Sequence, residues 1–267
     1  MKRSRFFELG LVAFAATVCA CCEPKLVVGE WNCPGRYGSA GESGESEEVP
    51  IPFEPVAIPW STSFETGFCD YQRIQGFCYV SSGGSYSIVS SPVHSGKFAA
   101  AFKANGRGAQ SRCITQGEFP KQAYYSAWYL VPAFASNTGN WNLLHYQGGM
   151  PPDNLDVLWD VSVSSNADGD LNLYVFRRLS RDRMPQVDAF PRIPIGVWFH
   201  IEVFVRRASD PTGELAVYQD GQLVYRATDI VTDDTAWGQW YVGNLTTSLM
   251  PPDSTVYVDD VTFSETR

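Results

Sequence analysis

Gly196-Val-Trp-Phe-His-Ile-Glu-Val-Phe-Val-Arg-Arg207, followed after two residues by Asp210-Pro-Thr-Gly-Glu-Leu-Ala-Val-Tyr-Gln-Asp-Gly-Gln-Leu-Val-Tyr-Arg226, reads as three antiparallel strands in a row. Trp198, His200, Glu202 and Phe204 alternate with Phe199, Ile201, Val203 and Val205. A period of two puts each set on one face of a sheet. Asp210-Pro211-Thr212-Gly213 supplies the first turn, and Asp220-Gly221 a two-residue hairpin loop. His200, between apolar neighbours in this strand, is expected to be a hydrogen-bonded core histidine.

Working outward, strand-like segments recur over residues 85–91, 98–104, 123–131, 141–147, 157–164, 171–178, 239–243 and 255–264, divided by Gly, Pro, Asn and Asp. No amphipathic helix of ten or more residues is visible, and 186–195, with its prolines, reads as a long loop. Many strands without helices predict an all-β, two-sheet antiparallel sandwich.

The 196–226 block resembles the laminin-G-like and concanavalin A-like jelly rolls, in which a Gly-x-Trp strand leads into one ending Tyr-x-Asp-Gly. The resemblance implies a concanavalin A-like jelly roll and carbohydrate as the ligand class. Three further pieces are Ser63-Phe-Glu-Thr-Gly67, Ser91-Pro-Val-His-Ser-Gly-Lys-Phe-Ala99 and Val256-Tyr-Val-Asp-Asp-Val261. They resemble the family-4/9 carbohydrate-binding modules, which begin with Phe-Glu-x-Gly and finish with aromatic-x-Asp-Asp-Val. That likeness implies a structural calcium near the joined first and last strands, with Glu65 and Asp260 at the carboxylate positions. Calcium takes hard oxygen ligands drawn from several segments.

The N-terminus reads as a secretion signal over residues 1–20. Lys2, Arg3 and Arg5 precede the apolar run 11–20, which is too short to span a bilayer. Its end, Val18-Cys-Ala-Cys21, resembles a bacterial lipobox with Cys21 as the lipidated residue. This implies a cell-envelope protein that is lipid-anchored or secreted, meeting the membrane only through that lipid. Residues 21–58 read as an acidic, Gly/Ser/Glu/Pro-rich tether. The remaining 59–267 is long enough for one β-sandwich domain. The formal charge is −9; removing Lys2, Arg3 and Arg5 against Glu8 takes away +2 and leaves −11. So acidic a chain is a poor partner for nucleic acid. No Walker loop, dinucleotide fingerprint, HExxH or nucleophile elbow is present.

Export permits disulfides. Apart from Cys21, the cysteines in the exported part are Cys22, Cys33, Cys69, Cys78 and Cys113. Cys69 and Cys78 flank a short loop and are the expected pair; the remaining connectivity does not follow from sequence. No CxxC or Cys/His spacing points to zinc.

The strand Trp141-Asn-Leu-Leu-His-Tyr-Gln147 is the leading site candidate, with Trp141, His145 and Gln147 expected on one face by their even spacing. It resembles the central strand of jelly-roll polysaccharide lyases, alginate-lyase-like and heparin-lyase-like, which carry Gln-x-His; here the order is His145-Tyr-Gln147. Arg112 falls where those lyases place Arg-x-Glu, with Ile114 in place of the glutamate. Their late Tyr-Lys-x-Tyr strand has no match; Trp240-Tyr-Val-Gly243 and Val256-Tyr-Val258 are nearest. Elimination needs a group to neutralise a uronate carboxylate, a base for the C5 proton and an acid for the leaving oxygen. Gln147 and Arg112 suit the first task, His145 or a nearby Tyr the other two.

Trp141 and Trp159 are candidate stacking platforms for the apolar face of a sugar. Arg177 and Arg178 are candidate carboxylate partners in an acidic chain. Asp156 and Asp160 share a strand face, but the Glu-x-Asp-x-x-Glu glucanase pattern is absent. Two readings stand: a polysaccharide lyase acting on uronate-containing glycans, and a non-catalytic carbohydrate-recognition or adhesive surface lipoprotein.

Overall fold

The computed structural model describes residues 56–72, 76–81, 83–148, 158–177, 182–183, 191–232 and 237–267. The predicted signal, Cys21, the tether up to residue 55 and Arg178 lie outside the described residues. In chain order the strands are β1 (Trp60–Thr62), β2 (Phe77–Ser81), β3 (Gly84–Val89), β4 (Ala99–Asn105), β5 (Gln110–Glu118), β6 (Gln122–Leu130), β7 (Ser136–Asn137), β8 (Trp141–Gly148), β9 (Leu158–Ser165), β10 (Leu171–Arg177), β11 (Asp182–Arg183), β12 (Phe199–Arg206), β13 (Gly213–Gln219), β14 (Gln222–Ile230), β15 (Trp237–Thr246), β16 (Leu249–Met250) and β17 (Asp253–Ser264). The one helix among the described residues, α1, is Cys69–Gln72.

The strands form two large antiparallel sheets. One has the order β14-β13-β12-β6-β17-β4-β3, with β1 also paired to β17; the other has the order β11-β10-β9-β8-β15-β5-β2. Their inner faces share one core, to which Tyr125, Phe199 and Phe263 come from the first sheet and Tyr146, Val161 and Trp240 from the second. Tyr125 bridges the layers, its ring 5.3 Å from Trp240 and 5.8 Å from Tyr146. Burying large rings from two facing sheets is what holds such a sandwich closed. The architecture is the expected two-sheet jelly-roll sandwich.

The 196–226 segment becomes β12, β13 and β14. Gln219 pairs with Gln222, so only Asp220 and Gly221 remain in the loop. Both have positive φ, 50° and 78°, as a type I′ turn requires. Phe199, Ile201, Val203 and Val205 are buried in the core as their parity dictates. His200 is not in the core: the same parity turns it outward, half-buried, with its ring 5.2 Å from that of Trp128. Apolar sequence neighbours of a strand residue lie on the opposite face, so they do not bury it.

The first and last strands of the described residues meet as expected, β1 running antiparallel to β17 with Thr62 opposite Val261. Val56 is buried in the core and its N–H donates to the Glu118 carbonyl at 3.0 Å. The packed domain therefore includes residues 56–58, which the sequence assigned to the tether.

Of the strands outside the predicted set, β2 and β5 are the two longest. They lie side by side with Cys78 opposite Cys113, and these two residues form a disulfide. The expected Cys69–Cys78 pair is thereby corrected. Cys69 is also disulfide-bonded, but to neither of them. Cross-strand opposition brings Cys78 to a residue 35 positions away, a proximity that short-range spacing cannot reveal.

Candidate functional site

The second sheet's outer face, turned away from the core, gathers most of the polar candidates. A β-bulge in β8 between Asn142 and Leu144 shifts the register against β9. Beyond it Leu144 and Tyr146 enter the core, and His145 and Gln147 take the outer face. A continuous row then crosses six strands: Phe77, Ile114, Tyr241, His145, Asp160 and Phe176, each opposite the next. On one side lies the row Tyr79, Arg112 and Gly243; on the other lie Gln116, Gln239 and Gln147. Gly243 is a close-approach position: a Cβ there would sit 2.6 Å from the Arg112 Cα.

His145 Nδ1 lies 2.8 Å from Asp160 Oδ1, and both side chains are buried. With the Asp160 carboxylate as acceptor, a neutral imidazole carries its hydrogen on Nδ1 and keeps a lone pair on Nε2. Nε2 is buried and has no hydrogen-bond partner among the described residues. The imidazole stacks on the Tyr241 ring, centroids 4.5 Å apart and planes 12° from parallel. Arg112 Cζ stands 4.9 Å from the Tyr241 ring centroid and 5.4 Å from that of Tyr79. The guanidinium packs between two aromatic rings and forms no ion pair among the described residues, a geometry that leaves it able to receive a carboxylate.

Burial pushes the Tyr241 phenol well above its ordinary range, and the Asp160 carboxylate adds to the rise. Arg112 and Asn142 oppose it without reversing it. They approach the hydroxyl, yet it makes no hydrogen bond of ordinary geometry. Tyr241 is therefore protonated at neutral pH, its hydroxyl a hydrogen donor there rather than a base.

Of the sequence candidates, His145, Gln147 and Arg112 are brought to this one face. Trp141 and Trp159 are not: both are buried in the core. Trp141 donates its indole N–H to Asn244 Oδ1 at 3.0 Å. The bulge breaks the even spacing that placed Trp141 beside His145, and Trp159 has the parity opposite to Asp160. Arg177 ends β10 opposite Trp159 and Asp182. Two members of the constellation were not assigned to it from sequence. In the sequence Asp160 stands out only as one of a carboxylate pair, and Tyr241 only as a near match to a missing motif; their alternation within β9 and β15 is the available signal.

Glu65 and Asp260 both hold the 94–98 turn. Glu65 Oε1 accepts the N–H groups of Lys97 and Phe98 at 2.7 and 3.0 Å. Asp260 meets His94 Nδ1 at 2.6 Å and the Ser95 hydroxyl at 2.7 Å. Among the described residues no group of three or more His, Cys, Asp or Glu side chains is placed to hold a metal. The groups converging on these carboxylates are hydrogen donors, whereas calcium needs oxygen lone pairs. As arranged, they do not fit the implied calcium.

No protein-family model matches the chain, and no curated protein does. Solved structures do match. The fold is shared with endo-β-1,4-glucuronan lyase from the fungus Trichoderma reesei at 16% identity and a TM-score of 0.51, over 70% of this chain and 90% of that one. Cellulose induced protein Cip1 matches at 16% identity and 0.57, over 78% and 97%. A mutant of alginate lyase Aly36B in complex with alginate trisaccharide matches at 12% identity and 0.53, over 79% and 100%. The architecture is a jelly roll of the kind that polysaccharide lyases use.

Proposed function

We propose that the protein cleaves uronate-containing polysaccharide by β-elimination on the outer face of its second sheet. The observation that carries this reading is the His145–Asp160 pair with Tyr241 stacked beside it and Arg112 beyond. Arg112, with Gln147, binds the C6 carboxylate and stabilises the charge that develops on it as the C5–H bond weakens. His145 Nε2 takes the C5 proton, its ring held by Asp160. The electron pair of that C–H bond forms a C4=C5 double bond while the C4–O bond to the leaving sugar breaks. The Tyr241 hydroxyl protonates the departing oxygen, and the resulting phenolate regains its proton from His145 or solvent.

Incubating the full-length protein with alginate, glucuronan and polygalacturonate, while following the ultraviolet absorbance of the unsaturated uronate, tests the reading. A rise that His145→Ala abolishes supports it; no rise on any uronate polymer overturns it. A second reading is favoured by one observation. His145 and Tyr241 are only 5% and 1% exposed, which suits a module that holds glycan on the outer parts of the face without cutting it. Retardation in glycan-containing gels without new absorbance identifies that case. In either reading the lipobox-like sequence supports anchorage by a lipid at Cys21, checked by incorporation of a palmitate analogue that Cys21→Ala abolishes.

A further inference from the structure

The catalytic candidates are buried, but the row that contains them runs out to the sheet edge at β2, where the side chains are open. Phe77 is 42% exposed and Tyr79 39%. Both are aromatic, and both lie on the outer face, because Phe77 opposes Ile114 and Tyr79 opposes Arg112. Between them Cys78 turns the other way and is tied to Cys113. An edge strand showing two large rings to solvent is a liability for stray strand pairing. Here the strand is fixed covalently at the residue between the rings, so the pair is presented rigidly. Gly76 brings the chain in so tightly that a Cβ would lie 2.6 Å from the Ile114 carbonyl oxygen, which holds Phe77 down on the sheet. Phe77 is three strand spacings from His145 along one row, about 14 Å, room for more than one pyranose ring.

We propose that Phe77 and Tyr79 form a sugar-stacking platform that binds residues of an acidic polysaccharide beyond the one at His145, the chain lying across the strands from β2 toward β8. The proposal rests on the site reading above and adds to it the direction of the bound chain and the side from which it enters. The apolar C–H faces of pyranose rings pack on the two aromatic rings. Arg112, whose guanidinium lies against Tyr79, takes the carboxylate of the sugar that follows. Rigid rings lose little conformational freedom on binding, so the platform gives affinity at low entropic cost.

Electrophoresis of the full-length protein through gels containing alginate, glucuronan or polygalacturonate measures this directly. Phe77→Ala and Tyr79→Ala are expected each to weaken retardation by about threefold to tenfold, while Phe77→Trp and Tyr79→Phe, which keep a ring, bind as the wild type does. Where cleavage is seen, Phe77→Ala, which does not touch Arg112, acts mainly by raising KM. Both residues are solvent-exposed, and unchanged thermal unfolding shows that the variants are folded. Alanine variants retarded as strongly as the wild type overturn the platform even if the wild type cuts its polymer. Wild-type retardation that the alanines weaken, without any new absorbance, upholds the platform and defeats elimination. A wild type retarded by none of these polymers overturns the platform, and overturns elimination as well only when no new absorbance appears.

Discussion

The imidazole of His145 lies flat against the phenol of Tyr241, with centroids 4.5 Å apart, on two strands that no sequence motif links. Ring contact and proton chemistry are separable here. Tyr241→Phe keeps the stacked ring and removes the hydroxyl. On the preferred polymer it should lower kcat by about 10²–10⁴-fold, the contribution of a positioned acid, with KM little changed. His145→Ala should lower kcat by a similar factor. In denaturant unfolding Tyr241→Phe should be neutral or up to about 1 kcal/mol more stable, because it deletes a buried hydroxyl without a full hydrogen bond. An active Tyr241→Phe variant removes the phenol from the mechanism.

Asp160 acts through His145. It holds Nδ1–H and so leaves Nε2 as the free base. Asp160→Asn can instead present an amide N–H to Nδ1, which favours the other tautomer and puts the hydrogen on Nε2. A large loss of kcat in Asp160→Asn, with glycan retardation intact, is the expected result. A purely structural role predicts a lowered unfolding midpoint with kcat preserved in the folded fraction.

The legible part of this fold was the part with clean period two. The β12–β13–β14 run, with its Asp-Gly loop, could be placed by alternation and turn chemistry alone. β2 and β5 could not, because β5 mixes Arg112, Thr115, Gln116 and Gly117 with only short apolar stretches. Its identity comes from the strands on either side. The site was half legible for a related reason. His145, Gln147 and Arg112 are residue types that suggest chemistry anywhere. Trp141 was misplaced because one extra residue at the Asn142–Leu144 bulge reverses parity, and local patterning carries no mark of that insertion. Tyr241 was visible as a residue but not as a partner, since its neighbour across the ladder is 96 positions earlier in the chain.

The Cys78–Cys113 bond closes a loop with a sequence separation of 35 and fixes the edge strand β2 beside Arg112. Chain-entropy arguments put its contribution at about 3–4 kcal/mol. The Cys78→Ala/Cys113→Ala double variant should lose roughly that much in denaturant unfolding. It should also bind uronate polymer more weakly, because Tyr79 is then free to leave the guanidinium. A loss below about 1 kcal/mol means that ladder hydrogen bonds alone hold β2.

Asp259 gives stability a pH dependence opposite to that of most carboxylates. Burial raises its pKa from 3.8 to about 6, against the opposing N–H bonds from Ser95, His94 and Asp260, and the Asp260 charge adds to the rise. A folded-state value above the unfolded one means that the fold binds this proton more tightly. The stabilisation is complete below pH 3.8 and is lost as pH rises through about 6. Burial moves His200 the other way, below 6.5, so its contribution is present above that value and lost as pH falls through its lowered folded-state pKa. Because the two oppose each other in one window, the wild-type curve alone is not diagnostic; its difference from Asp259→Asn is. Unfolding midpoints taken between about pH 4 and about pH 7 should show the wild type's advantage over Asp259→Asn shrinking as pH rises. The carboxylate that anchors the His94–Ser95 turn would then be held against its own desolvation. A difference that is flat with pH, or that grows, means that the three N–H donors stabilise the charged form enough to cancel the burial.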